Sequence, residues 1–549
     1  MSTPFEISDR LVDELARANP LMATWWGLEG DHGSWGNRFT VEGQAQNVDI
    51  ARRYIAELEP HLDHPDRDQR LAARTVTSEL ESWIENFDLG MHFMELRHLG
   101  GPMTTIRNVF ELMPSGTPEA DDAILRRLEG VGGAFADLRS TAARGIEAGI
   151  VVAKRQAESV IRQARHLAGD HSTFNDVAAR IEESVDTERL DRALSAARLA
   201  ASEFGDWLGE VYLPRAREED GVGAELYRHA LADLVGKDID PMDAYEWGWE
   251  ELGRLLSEME RVGNEIVPGA SWQEVRRHLE DDPAGSAHTI DELLGFVRRV
   301  LDQAVEDLEG THFDVPDEIR PIDVRVAPPG GAMGVYYIGP SEDLSRPGAV
   351  WYSMGNRTRF PLYQHRSTAY HEGFPGHHLQ IATVRYLRDR LSKAQRLLVG
   401  TSGYAEGWGM YAEVLMGELG YLADPTHYFG MLSKQMYRAS RVVVDIGLHL
   451  GLGIDDSSAV APGEQWSYEN AIEFMQHYGM QDREGAEAEV LRYLGWPGQA
   501  PTYKLGEREI LAIREEAKQR LGDDFDLKEF HTRVLTTGPV RFDDLREFI

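Results

Sequence analysis

The stretch His371-Glu372-Gly373-Phe374-Pro375-Gly376-His377-His378-Leu379-Gln380 governs how the rest of the chain is read. It gathers three imidazoles and a carboxylate, the side chains that hold and work a divalent metal when no thiolate is present. In the common zinc-binding helix two histidines stand four apart on one face, with a glutamate beside the first. Here the position four after His371 is Pro375. His377, six residues on, is rotated by a net ~240° and falls on the wrong face of a regular helix. His378 returns to nearly the same face, but ~10.5 Å along the axis. Two nitrogens that must each lie ~2.0–2.1 Å from one ion cannot be so far apart. Pro375 has no amide proton, and its ring clashes with the carbonyl four residues back, that of His371. Gly376 tolerates unusual dihedrals. The sequence therefore predicts a break at Pro375-Gly376 that returns one later histidine to His371. His377 is favoured, because the bulge then acts as an insertion into a four-apart pair; spacing alone leaves His378 open.

A catalytic zinc needs a third protein ligand and a position left for water. The segment T-S-G-Y-A-E-G-W-G-M-Y-A-E at 401–413 offers Glu406 near a helix start, with Glu413 seven residues later on the same face and suited to support a ligand. Glu372 then stands where a general base would draw a proton from activated water. A plain surface His-Glu pair is the competing reading in a chain with 19 histidines.

Composition narrows the chemistry. The 549 residues include no cysteine, which removes disulfides, thiol nucleophiles and thiolate metal sites, so a tightly held metal must use His, Asp and Glu. With 57 basic against 93 acidic residues the formal net charge is -36, which disfavours nucleic acid and anionic membrane as partners. No apolar run approaches the ~20 residues that span a bilayer. The opening M-S-T-P-F-E-I-S-D-R has no basic region followed by an apolar core, so the expected location is cytoplasmic.

The dominant periodicity is helical. Residues 189–209 space their apolar side chains three and four apart, and 243–263 repeat the pattern through Trp247, Leu252, Leu255 and Leu256. Further helices are predicted near 118–148, 403–419, 427–452 and 506–521. Only 311–361 reads differently, with β-branched and aromatic residues broken by Gly and Pro in I-D-V-R-V-A-P-P-G-G-A-M-G-V-Y-Y-I-G-P and G-A-V-W-Y-S-M-G-N. The predicted architecture is mainly α, a single mostly helical unit over 1–549. It has a helical N-terminal part at 1–310, a small β element at 311–361 and a helical part at 362–549 carrying the metal site. A small sheet beside a metal helix can hold an extended substrate as an added strand; a hairpin that merely caps the helices is an equal alternative.

The motifs after residue 370 resemble the signature of the bacterial family called domain of unknown function 885. Besides 371–380 the matching segments are E-G-W-G-M-Y-A-E at 406–413, R-A-S-R-V-V-V-D-I-G-L-H at 438–449 and R-Y-L-G-W-P-G-Q-A-P-T-Y-K-L-G at 492–506, and the opening is similar as well. The resemblance implies a metallopeptidase-like, mostly helical protein of zincin-like (gluzincin-type) fold, related to thimet oligopeptidase and carboxypeptidase Taq. It implies one Zn2+ per chain on His371, His377 and Glu406, with Glu372 as base. One departure is E-G-W-G-M where E-G-W-A-L is expected; Gly409 weakens a helix by about 1 kcal/mol relative to alanine.

The remaining motifs suggest supporting roles. Arg441, Asp445 and His449 are successive i, i+4 neighbours, so Asp445 either orients His449 or pairs with Arg441. His449 would then hydrogen-bond a substrate carbonyl or oxyanion, the alternative being a helix-surface salt bridge. Tyr503 follows the turn-rich P-G-Q-A-P-T and is a second candidate donor to the oxyanion, or else a core tyrosine. Arg441, Arg492 and Lys504 are candidates for a substrate carboxylate. Asp445, Glu413 and His378 are expected to support the ligands from behind. The function predicted is zinc-dependent hydrolysis of a peptide or other amide bond. The competing readings are a small amide or acyl conjugate as substrate, and a helical binding protein with a degenerate site. Helix faces for a core and for a partner look alike, so oligomeric state is not predicted.

Overall fold

The opening helix, Pro4–Ala18, shows how the sequence starts its elements. Thr3 caps it and Glu6 reaches back to close a capping box, while Ile7, Leu11 and Leu15 are buried along one face. The computed structural model describes residues 2–327, 334–355 and 357–549. Helix accounts for 67% of the chain and strand for 4%, so the mainly α class holds. Of the β element expected at 311–361, residues 328–333 and Asn356 lie outside the described residues.

Contacts group the chain into two compact units. One comprises Met1–Leu226, Ser392–Leu398 and Leu491–Pro497; the other comprises Tyr227–Leu391, Val399–Val490 and Gly498–Ile549. Within the first unit, the helices Val131–Ala148, Lys154–Ala168 and Thr187–Trp207 bury alanines and aromatics, including Phe135, Phe204 and Trp207, in one apolar core. The predicted helix at 118–148 is two helices there, Pro118–Glu129 and Val131–Ala148, parted at Gly130.

The second unit carries the signature stretch. Its first long helix, α1 (Pro241–Ile266), is followed by α2 (Ile290–Leu308) and a three-stranded sheet. The strands are β1 (Ile322–Val326), β2 (Val335–Ile338) and β3 (Gly348–Tyr352), in the order β1-β3-β2. Strand β3 runs parallel to β1, pairing Val350 with Val324, and antiparallel to β2, pairing Val350 with Tyr337. As the central strand it buries Gly348, Ala349, Val350 and Tyr352. Next come α3 (His365–Glu372), α4 (His377–Tyr386), α5 (Ser402–Glu418), α6 (Pro425–Leu450) and α7 (Thr502–Leu521). Strand β2 packs against α3.

Two features fix the frame around the site. Helices α5 and α7 cross glycine on glycine: a Cβ on Gly407 would lie 2.5 Å from the Gly506 carbonyl carbon, and one on Gly506 would lie 2.1 Å from the Gly403 oxygen. Helix α6 starts at an Asp424 cap followed by Pro425, and ends at Gly451 with a left-handed φ of 64°. Its 26 residues lie along α1 and bury apolar side chains from Phe429 to Leu448.

Candidate metal centre

Helix α3 stops at Glu372 and α4 begins at His377, so the predicted break is present. Gly373 (φ -101°, ψ -119°) and Gly376 (φ -77°, ψ -129°) leave helical geometry, and the Phe374–Pro375 peptide is cis. The chain doubles back so tightly that a Cβ on Gly376 would lie 2.0 Å from the His371 carbonyl oxygen. Only glycine fits that approach. The Gly376 amide donates to Tyr370 O at 2.9 Å, and the carbonyl of Pro375 accepts from the Trp408 indole of α5 at 2.9 Å. The break thus has its own hydrogen bonds.

The result is that His371 and His377 face each other, ring centroids 4.8 Å apart at 80°. Glu406, from the second turn of α5, completes the set: its Oε2 lies 3.5 Å from His371 Nε2 and 3.4 Å from His377 Nε2. One ligand atom from each of the three residues falls within 4.8 Å of the others. Tetrahedral ligands ~2.0–2.1 Å from one zinc are ~3.3–3.4 Å apart, and the two His–Glu distances match that spacing. His371, His377 and Glu372 are buried, while Glu406 remains partly open.

Behind the triad stands Glu413, two turns after Glu406 on the same helix face and fully buried. Its Oε1 is 2.9 Å from His371 Nδ1, the nitrogen turned away from Glu406. Ser367, one turn before His371, donates its hydroxyl to Glu413 Oε2, and Arg438 Nη1 of α6 lies 3.6 Å from Oε1. A carboxylate on the far nitrogen of a ligand histidine fixes its tautomer and raises its basicity. Gly409 makes room for the ring: a Cβ there would come within 2.7 Å of His371 Cε1.

Charge is concentrated here. Burial and Arg438 both disfavour a protonated His371, but Glu406 and Glu413 outweigh them and raise it to about 9. Burial disfavours the Glu406 charge, yet hydrogen bonds from His371 and His377 hold its carboxyl well below the usual range. Glu413 is likewise lowered, Arg438 and His371 prevailing over burial. Glu372 is raised, because burial exceeds the pull of the two histidines. A cation seated between these side chains takes the place of the imidazole proton.

His378 has both nitrogens engaged. Nε2 donates to the Ile319 carbonyl at 2.7 Å, Nδ1 accepts from the Tyr337 hydroxyl at 3.0 Å, and burial holds the ring down to about 4. The geometry therefore brings His377, and not His378, to His371. His378 ties α4 to strand β2.

The outlying candidates divide. Arg441 lies 3.1 Å from Glu489 and 4.7 Å above the Tyr503 ring, whose other face-on neighbour is Arg438 at 5.8 Å. Asp445 Oδ1 lies 3.8 Å from His449 Nε2, and its Oδ2 accepts from the Tyr227 hydroxyl at 2.6 Å and the Gly498 amide at 2.9 Å. His449 stacks on Tyr227. Lys504, expected to meet a substrate carboxylate, is buried with its three protons directed at Gln435 (2.6 Å), Glu507 (2.7 Å) and Glu251 (2.9 Å). An ammonium so saturated has no proton left for a ligand. Arg492 belongs to the other compact unit, where it lies 4.8 Å over Tyr493. Three residues of the site escaped the sequence reading. Ser367 carries a usable signal, four residues before His371, whereas Trp408 and Arg438 reach the site across helices and carry none.

Residues 20–549 match the family described as "Bacterial protein of unknown function (DUF885)". The chain belongs to the DUF885 family. Two solved structures share this DUF885 chain's fold, each described as a "putative lipoprotein". One, from Colwellia psychrerythraea, has 24% identity and a TM-score of 0.83, covering 99% of this chain and 97% of that one. The other, from Shewanella oneidensis, has 19% identity and a TM-score of 0.77, covering 100% and 99%. Metallocarboxypeptidase 1 of Trypanosoma cruzi aligns at 12% identity over 99% and 95% of the two chains, with a TM-score of 0.41, a likeness too slight to carry fold or activity to the DUF885 chain. No curated protein matches the chain at a significant level. The lipoprotein relatives contradict the expected cytoplasmic location, which is withdrawn.

Proposed function

We propose that this protein is a zinc-dependent, metallopeptidase-like hydrolase of gluzincin-type fold that cleaves a peptide or other amide bond. The observation that carries the reading is the triad of His371, His377 and Glu406, with a buried Glu372 next in sequence to one ligand and Glu413 backing it. A structural site has no need of a buried base beside its ligand. Zinc bound there would polarise the scissile carbonyl and acidify water.

The other steps belong to the chain's own residues. Glu372, its carboxyl raised by burial, accepts the proton of the attacking water and returns it to the leaving nitrogen. Glu413 holds His371 in the tautomer whose Nε2 lone pair faces the ion. Tyr503 is assigned as hydroxyl donor to the developing oxyanion, since its ring rests on Arg438, the cation next to Glu413. His449 lies eleven residues along α6 from Arg438, ~16 Å by helical rise, and its assigned role is the pair with Asp445. Strand β2, at the sheet edge and against α3, is the edge to which an extended substrate would add.

The test is a profile of the zinc-loaded protein against peptide and acyl-amide libraries, run beside Glu372→Gln. The variant is expected to keep its metal and lose hydrolysis by at least ~100-fold. Unchanged turnover in the variant contradicts the reading.

A further inference from the structure

Next to the triad the structure gathers positive charge that the hydrolytic steps do not use. Lys434 lies one turn before Arg438 on α6, and Arg441 one turn after it. Arg438 Nε and Nη1 are buried without a hydrogen bond, and Lys434 makes none among the described residues. The nearby carboxylates are shared or taken: Glu413 Oε1 stands between His371 Nδ1 at 2.9 Å and Arg438 Nη1 at 3.6 Å, its Oε2 accepts from Ser367, and Glu489 pairs with Arg441. In a chain with 93 acidic residues against 57 basic, Lys434, with no carboxylate partner among the described residues, and Arg438, which shares Glu413 with His371, stand out. Such groups are costly to bury unless something supplies acceptors. A divalent ion on the triad would add further positive charge to the same space.

The geometry points to a substrate that carries a carboxylate close to its scissile bond, received between Lys434 and Arg438, with Arg357 at the exposed rim. This rests on the zinc-hydrolase reading and names its substrate class. Lys434 feels the cluster directly: burial and the charges of Arg438, Arg357 and Arg441 hold its ammonium down to about 8 against the pull of Glu413. Lys434 and Arg357 also act together on His365 at the start of α3, where burial is the larger cause of a ring held down to about 3. Helix α6, which carries Lys434 and Arg438, packs against α3, the helix that bears His371 and Glu372. A carboxylate bridging ammonium and guanidinium would supply the missing acceptors, as charge-assisted hydrogen bonds do.

The experiment measures binding to the zinc-loaded full chain of 2-benzyl-3-mercaptopropanoate and of its primary amide. The thiol anchors both to the metal, so the amide reports the metal and the ratio reports the cluster. The acid is expected to bind about ten- to a hundredfold more tightly, and the ratio to fall towards one in Lys434→Met while Lys434→Arg retains it. Equal affinities, or a ratio unchanged in Lys434→Met, overturn the inference and leave the zinc reading standing. Failure of both ligands to bind overturns both. Should Lys434→Met lose affinity for the amide as well, exposed Arg357→Gln carries the same test, and an unreduced ratio there overturns the inference. Displacement of the probe by acetyl-Phe-Phe, or by acetyl-Phe-Glu amide, tells a free chain end from an acidic side chain.

Discussion

Glu413 and Gly409 show how narrowly single residues define the centre. Glu413 touches the far nitrogen of His371, so Glu413→Gln is expected to weaken zinc binding about 10- to 100-fold in chelator competition while leaving the three ligands in place. An unchanged affinity would mean that the contact is incidental. Gly409→Ala sets two effects against each other. Alanine gains about 1 kcal/mol of helix propensity, but its Cβ would press to 2.7 Å from the His371 ring. The expected outcome is weaker zinc retention despite the better helix former. His371 also makes metal-free stability depend on pH. Its folded value of about 9 lies above the 6.5 of an ordinary imidazole, so its contribution is complete below 6.5 and is lost as pH rises through 9. Lys434, held down to about 8, works in the opposite sense, since stability rises where the unfolded chain binds the extra proton. Denaturation midpoints of metal-free wild type minus His371→Gln isolate the first effect. That difference should shrink between pH 6.5 and 9; a constant difference contradicts it.

At the scale of the element, the break between α3 and α4 is what turns a sequence with wrong helical spacing into a site. Its place was legible, because Pro375 falls four residues after His371 and a proline there cannot continue the helix. The choice between His377 and His378 was less so, since it depends on Tyr337 and the Ile319 carbonyl capturing both nitrogens of His378. Glu406 and Glu413 were legible from a seven-residue spacing on one helix, whereas Arg438 and Trp408 were not, because their contacts cross between helices. The strands within 311–361 announced themselves by composition. Their order did not: the parallel pairing of β1 with β3 is set by the intervening chain, not by any local pattern. Gly376→Ala tests the element directly. With a Cβ 2.0 Å from the His371 carbonyl, the variant should lose about 1–3 kcal/mol of stability and release its metal. Denaturant midpoint and metal content check both, and a stable, zinc-replete variant contradicts the geometry.

For the whole molecule, the acidic balance of -36 frames the site by contrast, since positive charge gathers beside the triad in a chain dominated by carboxylates. The mainly helical class followed from periodicity that recurs along the entire length. The membership of the two compact units did not, because Ser392–Leu398 and Leu491–Pro497 join the first unit from far along the chain. That is why Arg492 and Tyr503, eleven residues apart in one motif, fall in different units.

The most direct measurement is the zinc content, by elemental analysis, of wild type, His377→Ala and His378→Ala purified side by side. The account predicts about one zinc per chain in wild type, near-complete loss in His377→Ala and retention in His378→Ala. Zinc kept by His377→Ala and lost by His378→Ala, or absent from all three after loading, would contradict it.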